Sequence, residues 1–433
     1  MPHRPSLLQV LRYWAYLSLQ RLSSRRDGVE APRRLDLDKP SPAIWFFVST
    51  IGELNAVGGL LDALLARLDA DLQLVLLTDR NVSLEPFARR YPRALVVPTS
   101  THADAASRLA SECPPVHLLL AEIPCLPHDA PCRLPLGYAF EAQRCGAQLA
   151  IVNAWLYDEP PTCRMDQIER RLFGRAYLNS FDVICAQTDE VAARLVSAGA
   201  RREAVHVTGN LKFDAVMDPP SREQIVQRSP LLARLLALER PIIVAGCLSD
   251  QAELTMIVEA FEGVLERHPS ALLVIAPRHP EVRQTLVQLE ASLDGKGLRH
   301  CWRSRAGVAE ALAGSQCMVL DSVGELRDFY AVAQLAHVGV NHNVLEPLGF
   351  GRPVTVQPGW ETRYPSYAVY RLLMDKGVLA ETGDALELAK RWSDWLSDDH
   401  GRHDATERIA TQLKAFSGVT VRDLALLLGA ARS

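Results

Sequence analysis

The sequence predicts an α/β chain of two Rossmann-like, doubly wound domains, and three observations carry that prediction. Continuous apolar runs of strand length, such as Ala43-Ile-Trp-Phe-Phe-Val-Ser-Thr50, recur along the chain and suit strands buried on both faces of a parallel sheet. Helix-patterned stretches alternate with them, as βαβ units require. The alternation stops at Pro219-Pro220 and then begins again. Two such halves joined by a short link make a cleft, and ligands bind in such sheets at the carboxyl ends of the strands.

At 433 residues the chain is long enough for two or three domains, each with its own core. Its hydrophobic content of 48%, charged content of 23% and net charge of −4 describe an ordinary globular protein. Without a basic tail or positive excess, no nucleic-acid partner is expected. The nine Cys are scattered, odd in number and without a Cys-x-x-Cys pair, which argues for buried thiols in a reducing compartment and against a zinc site. A phosphate-binding Gly-x-x-x-x-Gly-Lys loop, a Gly-x-Ser-x-Gly elbow and a His-Glu-x-x-His helix are all missing, which removes the commonest ATPase, hydrolase and metalloprotease readings.

Residues 1–26 are read as an amphipathic N-terminal helix. Its apolar part, 7–22, is interrupted by Arg12 and is shorter than the roughly 20 apolar residues a membrane span needs. Aromatics beside Leu with flanking Arg suit a helix lying in a membrane interface; packing on the protein's own body is the alternative. Residues 27–42, rich in charge and Pro, read as a linker. The first domain, 43–214, has strands expected at 43–50, 72–77, 94–97, 116–121, 148–152 and 183–186, with helices at 56–68, 104–111 and 190–198. The loop from Pro124 to Pro135 is unusually long and rich in Pro, and is expected to shape the site. In the second domain, 221–384, strands are expected at 241–245, 271–276, 317–320, 335–340 and 354–356, and helices at 251–266, 281–293, 324–330 and 345–350. The tail, 385–433, reads as helices packing back across the domains.

Polar motifs sit at the ends of these strands. Ser49-Thr-Ile-Gly52-Glu53 puts a carboxylate on a Gly turn after the first strand, where it fits a general base or a first-turn Glu that complements the helix dipole. Gly209-Asn-Leu-Lys212-Phe-Asp214 lies at the domain link, with Lys212 either an anion contact or a solvated turn residue. Pro277-Arg278-His279-Pro-Glu281 follows a buried strand, and the planar fork of Arg278 suits a phosphate. Asp321-Ser322-Val-Gly324-Glu325-Leu326 reads as a helix start that offers N–H groups to an anion, or as a plain N-cap. His342-Asn343-Val-Leu-Glu346-Pro347 opens another helix, its carboxylate better suited to sugar hydroxyls than to the phosphate itself.

In their order, these motifs resemble the 3-deoxy-D-manno-octulosonic acid (Kdo) transferases of Gram-negative lipid A assembly, over about residues 45–358. The family's Ser-x-Gly-Glu, Gly-Asn-Leu-Lys-Phe-Asp, Pro-Arg-His-Pro-Glu, Asp-Ser-x-Gly-Glu-Leu and His-Asn-x-x-Glu-Pro elements correspond to the five stretches just quoted. The resemblance implies a GT-B fold, two Rossmann-like domains facing across a cleft, and an inverting transfer from a CMP-activated ulosonic acid. It implies no cofactor and no catalytic metal. Glu53 would be the base. Lys212, Arg278, His279, Ser322, Gly324, Glu325, Leu326, Asn343 and Glu346 would serve the donor, and Ser49, Gly52, Glu122 and Asn153 the acceptor side. The acceptor would be a lipid A-type or other saccharide, reached from the cytoplasmic face of the inner membrane by peripheral association.

The chain departs from the family at four places. Gly339-Val-Asn341 replaces a Gly-Gly before His-Asn, and Gly246-Cys-Leu-Ser-Asp-Gln-Ala-Glu253 replaces a Ser-Thr-His-x-Gly-Glu loop. Ala121-Glu122-Ile-Pro-Cys-Leu-Pro127 keeps one acid of Glu-x-Glu-Leu-Trp-Pro. Asn153-Ala-Trp155-Leu156 has Trp in place of the Arg of Asn-Ala-Arg-Leu. The expectation is a divergent member with CMP-sugar chemistry kept and the acceptor, or the ulosonic acid, changed. Two other readings are a transferase using a different CMP-activated acid or a soluble acceptor, and a silent nucleotide-binding paralogue.

Overall fold

The long apolar runs become the central strands of two parallel seven-stranded sheets in the computed structural model, which describes residues 6–27, 40–102, 104–127, 132–305 and 307–429. The first sheet contains β1 (Ala43–Phe47), β2 (Gln73–Thr78), β3 (Leu95–Pro98), β4 (Pro115–Ala121), β5 (Gln148–Ala154), β6 (Val183–Ala186) and β7 (Val205–Val207), in the order β3-β2-β1-β4-β5-β6-β7. The second contains β8 (Ile242–Leu248), β9 (Leu272–Pro277), β10 (His300–Trp302), β11 (Cys317–Val319), β12 (Leu335–Val338), β13 (Val354–Val356) and β14 (Leu379–Glu381), in the order β10-β11-β9-β8-β12-β13-β14. Strand order reverses between β1 and β4 and between β8 and β12. Those two switch points are where a doubly wound sheet opens a crevice.

β1 and β8 are central, paired on both edges and covered on both faces, so their residues are apolar almost without exception. The sequence pattern misses β7, β10 and β14. Each is three residues long, too short to show a period, and β7, β10 and β14 lie at sheet edges. The helix Ile51–Leu65 buries Leu54, Val57, Leu61 and Leu64 against the first sheet. Gln251–Arg267 does the same on the second, and Ala385–Ser397 packs against it through Trp392. The Trp392 indole N–H donates to Thr355 Oγ1 at 3.0 Å, satisfying its one polar atom in the core.

The N-terminal helix runs from Leu7 to Asp27. One face packs on the first unit: Tyr13 stacks on Phe140 at 3.7 Å, and Tyr16 meets Phe173 edge-on. Leu7, Leu8, Leu11, Trp14 and Leu19 are exposed, between 52% and 77%. One face of this helix thus packs on the protein's own body, and the opposite face is apolar and exposed. Most of the expected linker, residues 28–39, lies outside the described residues.

The described chain divides into two compact units, the first ending at Ala215 and resuming at Phe416, the second spanning Val216–Ala415. The tail is thus shared. Ala385–Ser397 and most of Asp399–Phe416 belong to the second unit, and Val419–Gly429 packs on Ile51–Leu65 in the first. Asp214, the last residue of the Gly209–Asp214 motif, caps that returning helix. Its Oδ1 accepts from the Gly418 and Val419 N–H groups at 2.7 and 3.3 Å, and its Oδ2 accepts from Thr420 N–H at 2.7 Å. These are donors a helix start leaves unpaired. Replacing Asp214 by Ala is expected to cost about 0.5–2 kcal/mol, the usual value of a lost N-cap, and to lower the melting temperature measured by calorimetry.

Candidate functional site

At the first switch point the chain leaves β1 through Ser49 and enters a helix at Ile51, with Thr50 as N-cap: its Oγ1 accepts from Glu53 N–H at 3.2 Å. Glu53 is only 7% exposed. Its Oε2 accepts from Ser49 N–H at 2.8 Å, and its Oε1 takes Arg133 Nη1 at 3.1 Å. Burial raises the Glu53 pKa above the carboxylate range; Arg133 opposes that shift and the nearby Glu122 reinforces it. Arg133, with a side chain 3% exposed, also donates from Nε to Asp79 Oδ2 at 3.1 Å. Gly52 is exposed, and a Cβ there would meet only Thr50 Oγ1 at 3.8 Å, so packing does not explain the glycine.

Glu122, just after β4, and Asn153, at the end of β5, have left-handed backbones, φ 56° and 53°. Neither is glycine, and such backbones cost of order 1–3 kcal/mol each. The conformation is held by side chains. Asn153 Nδ2 donates to Glu122 Oε1 at 3.0 Å, and its Oδ1 accepts from Leu211 N–H at 2.9 Å. Gln187 Nε2 donates to the Asn153 carbonyl, and Asn210 Nδ2 donates to Gln187 Oε1. Lys212 Nζ lies 2.9 Å from Glu122 Oε1. The sequence reading assigns Lys212 to the donor; the structure pairs it with an acceptor-side carboxylate in the first unit. Ser49, Glu53, Glu122, Asn153 and Lys212 are thereby brought to one end of one sheet.

A cavity of about 600 Å3 in this unit is lined by Arg170, Arg171 and Arg194, by Asp158 and Glu159, and by Tyr157 with apolar neighbours such as Leu156 and Leu178. Arg194 lies over the Trp155 ring at 4.9 Å. The Nε atoms of Arg170 and Arg194 and the Trp155 indole nitrogen are buried without a hydrogen-bond partner among the described residues.

At the second switch point β8 ends in a bulge at Cys247, φ 61°, followed by Ser249 and the helix from Gln251. Glu253, buried, accepts from Ser249 N–H at 2.6 Å through Oε2 and from Val340 N–H at 3.0 Å through Oε1. Gly339 lets the two loops close up: a Cβ there would lie 2.2 Å from the Cys247 carbonyl oxygen. His342 Nε2 is 3.2 Å from Ser249 Oγ. Burial, with Arg278 and His279 nearby, lowers the His342 pKa to about 4, so it is a neutral imidazole at pH 7. A cavity of about 740 Å3 opens here, lined by Ser249, Glu253, Arg278, Asn341, Glu361 and Tyr364 among others.

The remaining residues that the sequence reading assigns to the donor are distributed around this end of the sheet. Asn343 is exposed and its Oδ1 caps Leu345 N–H at 3.1 Å. Glu346 is half-buried, its pKa raised by burial. His279 is exposed and pairs with Glu281 at 3.0 Å, and it does not line the cavity. The expected helix start at Gly324 is displaced: Gly324 is left-handed at φ 91° and the helix begins at Leu326. Glu325 is held there by Arg303 at 2.8 Å and by the Ser322 hydroxyl, so these side chains are already paired. Leu326 packs where a Cβ on Gly246 would be.

Sequence reasoning missed Arg133, Asp79, Gln187 and Glu253 as members of these networks. Arg133 gave no signal beyond its place in the Pro-rich loop. Glu253 did give one: Ser249-x-x-x-Glu253 after a buried strand repeats Ser49-x-x-x-Glu53. Among the described residues no group of three or more His, Cys, Asp or Glu side chains is placed to hold a metal ion.

Residues 20–215 match the family described as 3-deoxy-D-manno-octulosonic-acid transferase. The chain is 29% identical to the transferase of that name from Haemophilus influenzae over 49% of this chain and 48% of that one. It is 34% identical to the Bordetella pertussis enzyme over 42% of each. The chain thus spans about half the length of these curated relatives. A longer alignment, to the Chlamydia muridarum transferase, is 23% identical over 90% of this chain and 85% of that one. Among solved structures, UDP-GlcNAc 2-epimerase from Neisseria meningitidis bound to UDP-GlcNAc aligns with a TM-score of 0.60 at 12% identity, covering 89% of this chain and 100% of that one. A putative UDP-N-acetylglucosamine 2-epimerase from Listeria monocytogenes gives 0.59 at 16%, covering 89% and 96%. Those likenesses identify the fold: α/β, of the GT-B type with two doubly wound units. Residues 20–215, a little under half of the chain, are thus similar in sequence to the 3-deoxy-D-manno-octulosonic-acid transferases.

Proposed function

We propose that this chain is an inverting, metal-independent glycosyltransferase that moves Kdo or a related ulosonic acid from its CMP-activated form to a lipid A-type or other saccharide acceptor. The observation that carries the reading is Glu53, a buried carboxylate at the first switch point, inside the segment that matches the family. Glu53 takes the proton of the acceptor hydroxyl as that oxygen attacks the anomeric carbon, and CMP leaves from the opposite face. Ser49 N–H and Arg133 occupy one lone pair on each carboxylate oxygen. A carboxylate offers about four such positions, so each oxygen keeps one that can take the hydroxyl. Charge developing on the leaving phosphate is met by Arg278, whose guanidinium stays charged and can donate two parallel N–H hydrogen bonds. Asn343 and Glu346 hold the ribose hydroxyls, and Lys212 acts through Glu122.

The arginine-lined cavity in the first unit supports an acceptor that is partly apolar and anionic. The exposed Leu7, Leu8, Leu11 and Trp14 support peripheral attachment at the cytoplasmic face of an inner membrane. Among the described residues no helix is long and apolar enough to cross a membrane.

The reading is tested by incubating the chain with CMP-Kdo, generated in situ, and a tetra-acylated lipid A precursor, with products read by mass. A gain of one or more Kdo units is expected, and Glu53→Ala is expected to abolish it while CMP affinity stays within about two-fold. CMP binding without transfer to any acceptor would replace this reading with that of a nucleotide-binding paralogue. Arg278→Ala is expected to weaken CMP binding by about 1.5–3 kcal/mol, the usual value of a charge-assisted hydrogen bond, as measured by calorimetric titration. Leu8→Glu with Leu11→Glu removes apolar surface worth about 1.5–3 kcal/mol per fully buried Leu, and co-sedimentation with anionic vesicles is expected to fall about ten-fold or more.

A further inference from the structure

Among the described residues Arg133 is the one cation paired with Glu53, and it comes from the Pro-rich loop that follows the replaced Glu122–Pro127 element. The Arg expected two positions after Asn153 is Trp155 here. The Pro-rich loop after β4 supplies the guanidinium of Arg133, almost completely buried and shared between Glu53 and Asp79. A buried ion pair is a poor stabilising device, because desolvation of both charges offsets their attraction. Its presence beside the one carboxylate that must accept a proton calls for a different explanation.

We infer that Arg133 is a positioning residue for the transfer reaction: it keeps Glu53 ionised and fixes which of its lone pairs face the acceptor hydroxyl. This rests on the reading of Glu53 as the base. The groups facing Glu53 are Arg133 from the Pro-rich loop, Asp79 after β2, Glu122 after β4 with Lys212 upon it, the Tyr157 phenol after β5, and Ser49 N–H. Three carboxylates thus share two cations, and Lys212 is committed to Glu122. Without Arg133 no positive group among the described residues touches Glu53, while burial and Glu122 both oppose its charge. The carboxyl would then hold its proton at pH values where the base must be free. Burial also works against the charge of Arg133, but Glu53 and Asp79 beside it hold its pKa above the usual range, so it stays a guanidinium throughout.

Asp79 gives the arrangement a second lever. It draws part of the guanidinium's charge away from Glu53, so removing its charge strengthens the hold of Arg133 on the base. Arg133→Met and Asp79→Asn must therefore move the titration of Glu53 in opposite directions, which a merely structural ion pair would not require.

The experiment needs no acceptor for its first arm. The full chain is labelled with glutamate carrying 13C at the side-chain carboxyl, the Glu53 signal is assigned by its loss in Glu53→Gln, and its titration is followed in wild type, Arg133→Met, Arg133→Lys and Asp79→Asn. The Glu53 midpoint is expected to rise by about one pH unit or more in Arg133→Met, to return most of the way in Arg133→Lys, and to fall in Asp79→Asn. In the second arm, the acid limb of kcat/KM for transfer from CMP-Kdo follows the same order, and the Arg133→Met rate recovers as pH is raised. CMP affinity is expected to be unchanged in every variant. Should Arg133→Met fail to fold, the Lys and Asn variants still give opposed signs. A Glu53 midpoint that does not move in Arg133→Lys, Arg133→Met and Asp79→Asn overturns the assignment. If the midpoint moves as expected but Glu53→Ala keeps near-normal transfer, Glu53 is not the base, and the role of Arg133 in the reaction falls with it.

Discussion

A carboxylate buried at the carboxyl end of a parallel strand must find donors there, and both units are organised around that requirement. A buried charge without partners costs several kcal/mol, so the chain around it is arranged to supply them. In each unit the central strand ends in a serine whose N–H donates to a glutamate four residues later, in the first turn of the following helix. The helix is capped by the intervening Thr50 or Asp250. What differs is the second oxygen. Glu253 gives it to Val340 N–H and thereby draws the loop after β12 against the loop after β8. Glu53 gives it to a side chain.

The same pressure accounts for the unusual backbones. Of the described non-glycine residues with positive φ, Glu122, Asn153, Cys247 and Asn341 all lie in or just after central strands at their carboxyl ends. Each turns the chain where a regular strand would carry its next side chain away from the crevice. Hydrogen bonds hold the turn: Glu122 and Asn153 bind each other, and Asn341 accepts from Glu361 N–H at 2.8 Å while its own carbonyl takes Ser366 Oγ. Strain of this kind persists only where the surroundings over-determine it, and it gathers where a ligand must be met by fixed groups.

Much of this was legible in the sequence, and the limits have physical causes. Buried parallel strands announce themselves as unbroken apolar runs, so the inner strands and the doubly wound class follow from pattern alone. Edge strands of three residues leave no such trace. Glu53, Glu122 and Asn153 could be named because Glu122 directly follows β4, Asn153 is the penultimate residue of β5 and Glu53 lies in the first helical turn after β1, so a strand fixes the place of each. Arg133 could not. It reaches Glu53 across 80 positions of chain from a loop whose course no periodicity describes. Lys212 shows another limit: its motif was recognisable, but a motif at a chain link does not name the partner of its side chain, which in the structure is Glu122. Gly324 was misread because a glycine before a helical pattern fits a helix start equally well as a left-handed turn outside the helix.

The unequal second oxygens also separate two kinds of glutamate that a motif search would treat alike. Both pKa values are raised by burial, and both receive one backbone N–H from a serine. Glu253 is then closed by a second backbone donor, which cannot leave without moving a strand end, and a carboxylate so held serves the shape of the loop. Glu53 is closed by a guanidinium on a loop, a donor that carries charge and has a second partner in Asp79. Charge on that donor biases the proton of the carboxyl, where the neutral N–H group fixes chiefly its position. The repeated Ser-x-x-x-Glu device therefore does structural work at one switch point and leaves a titratable group at the other, and the nature of the second donor decides which.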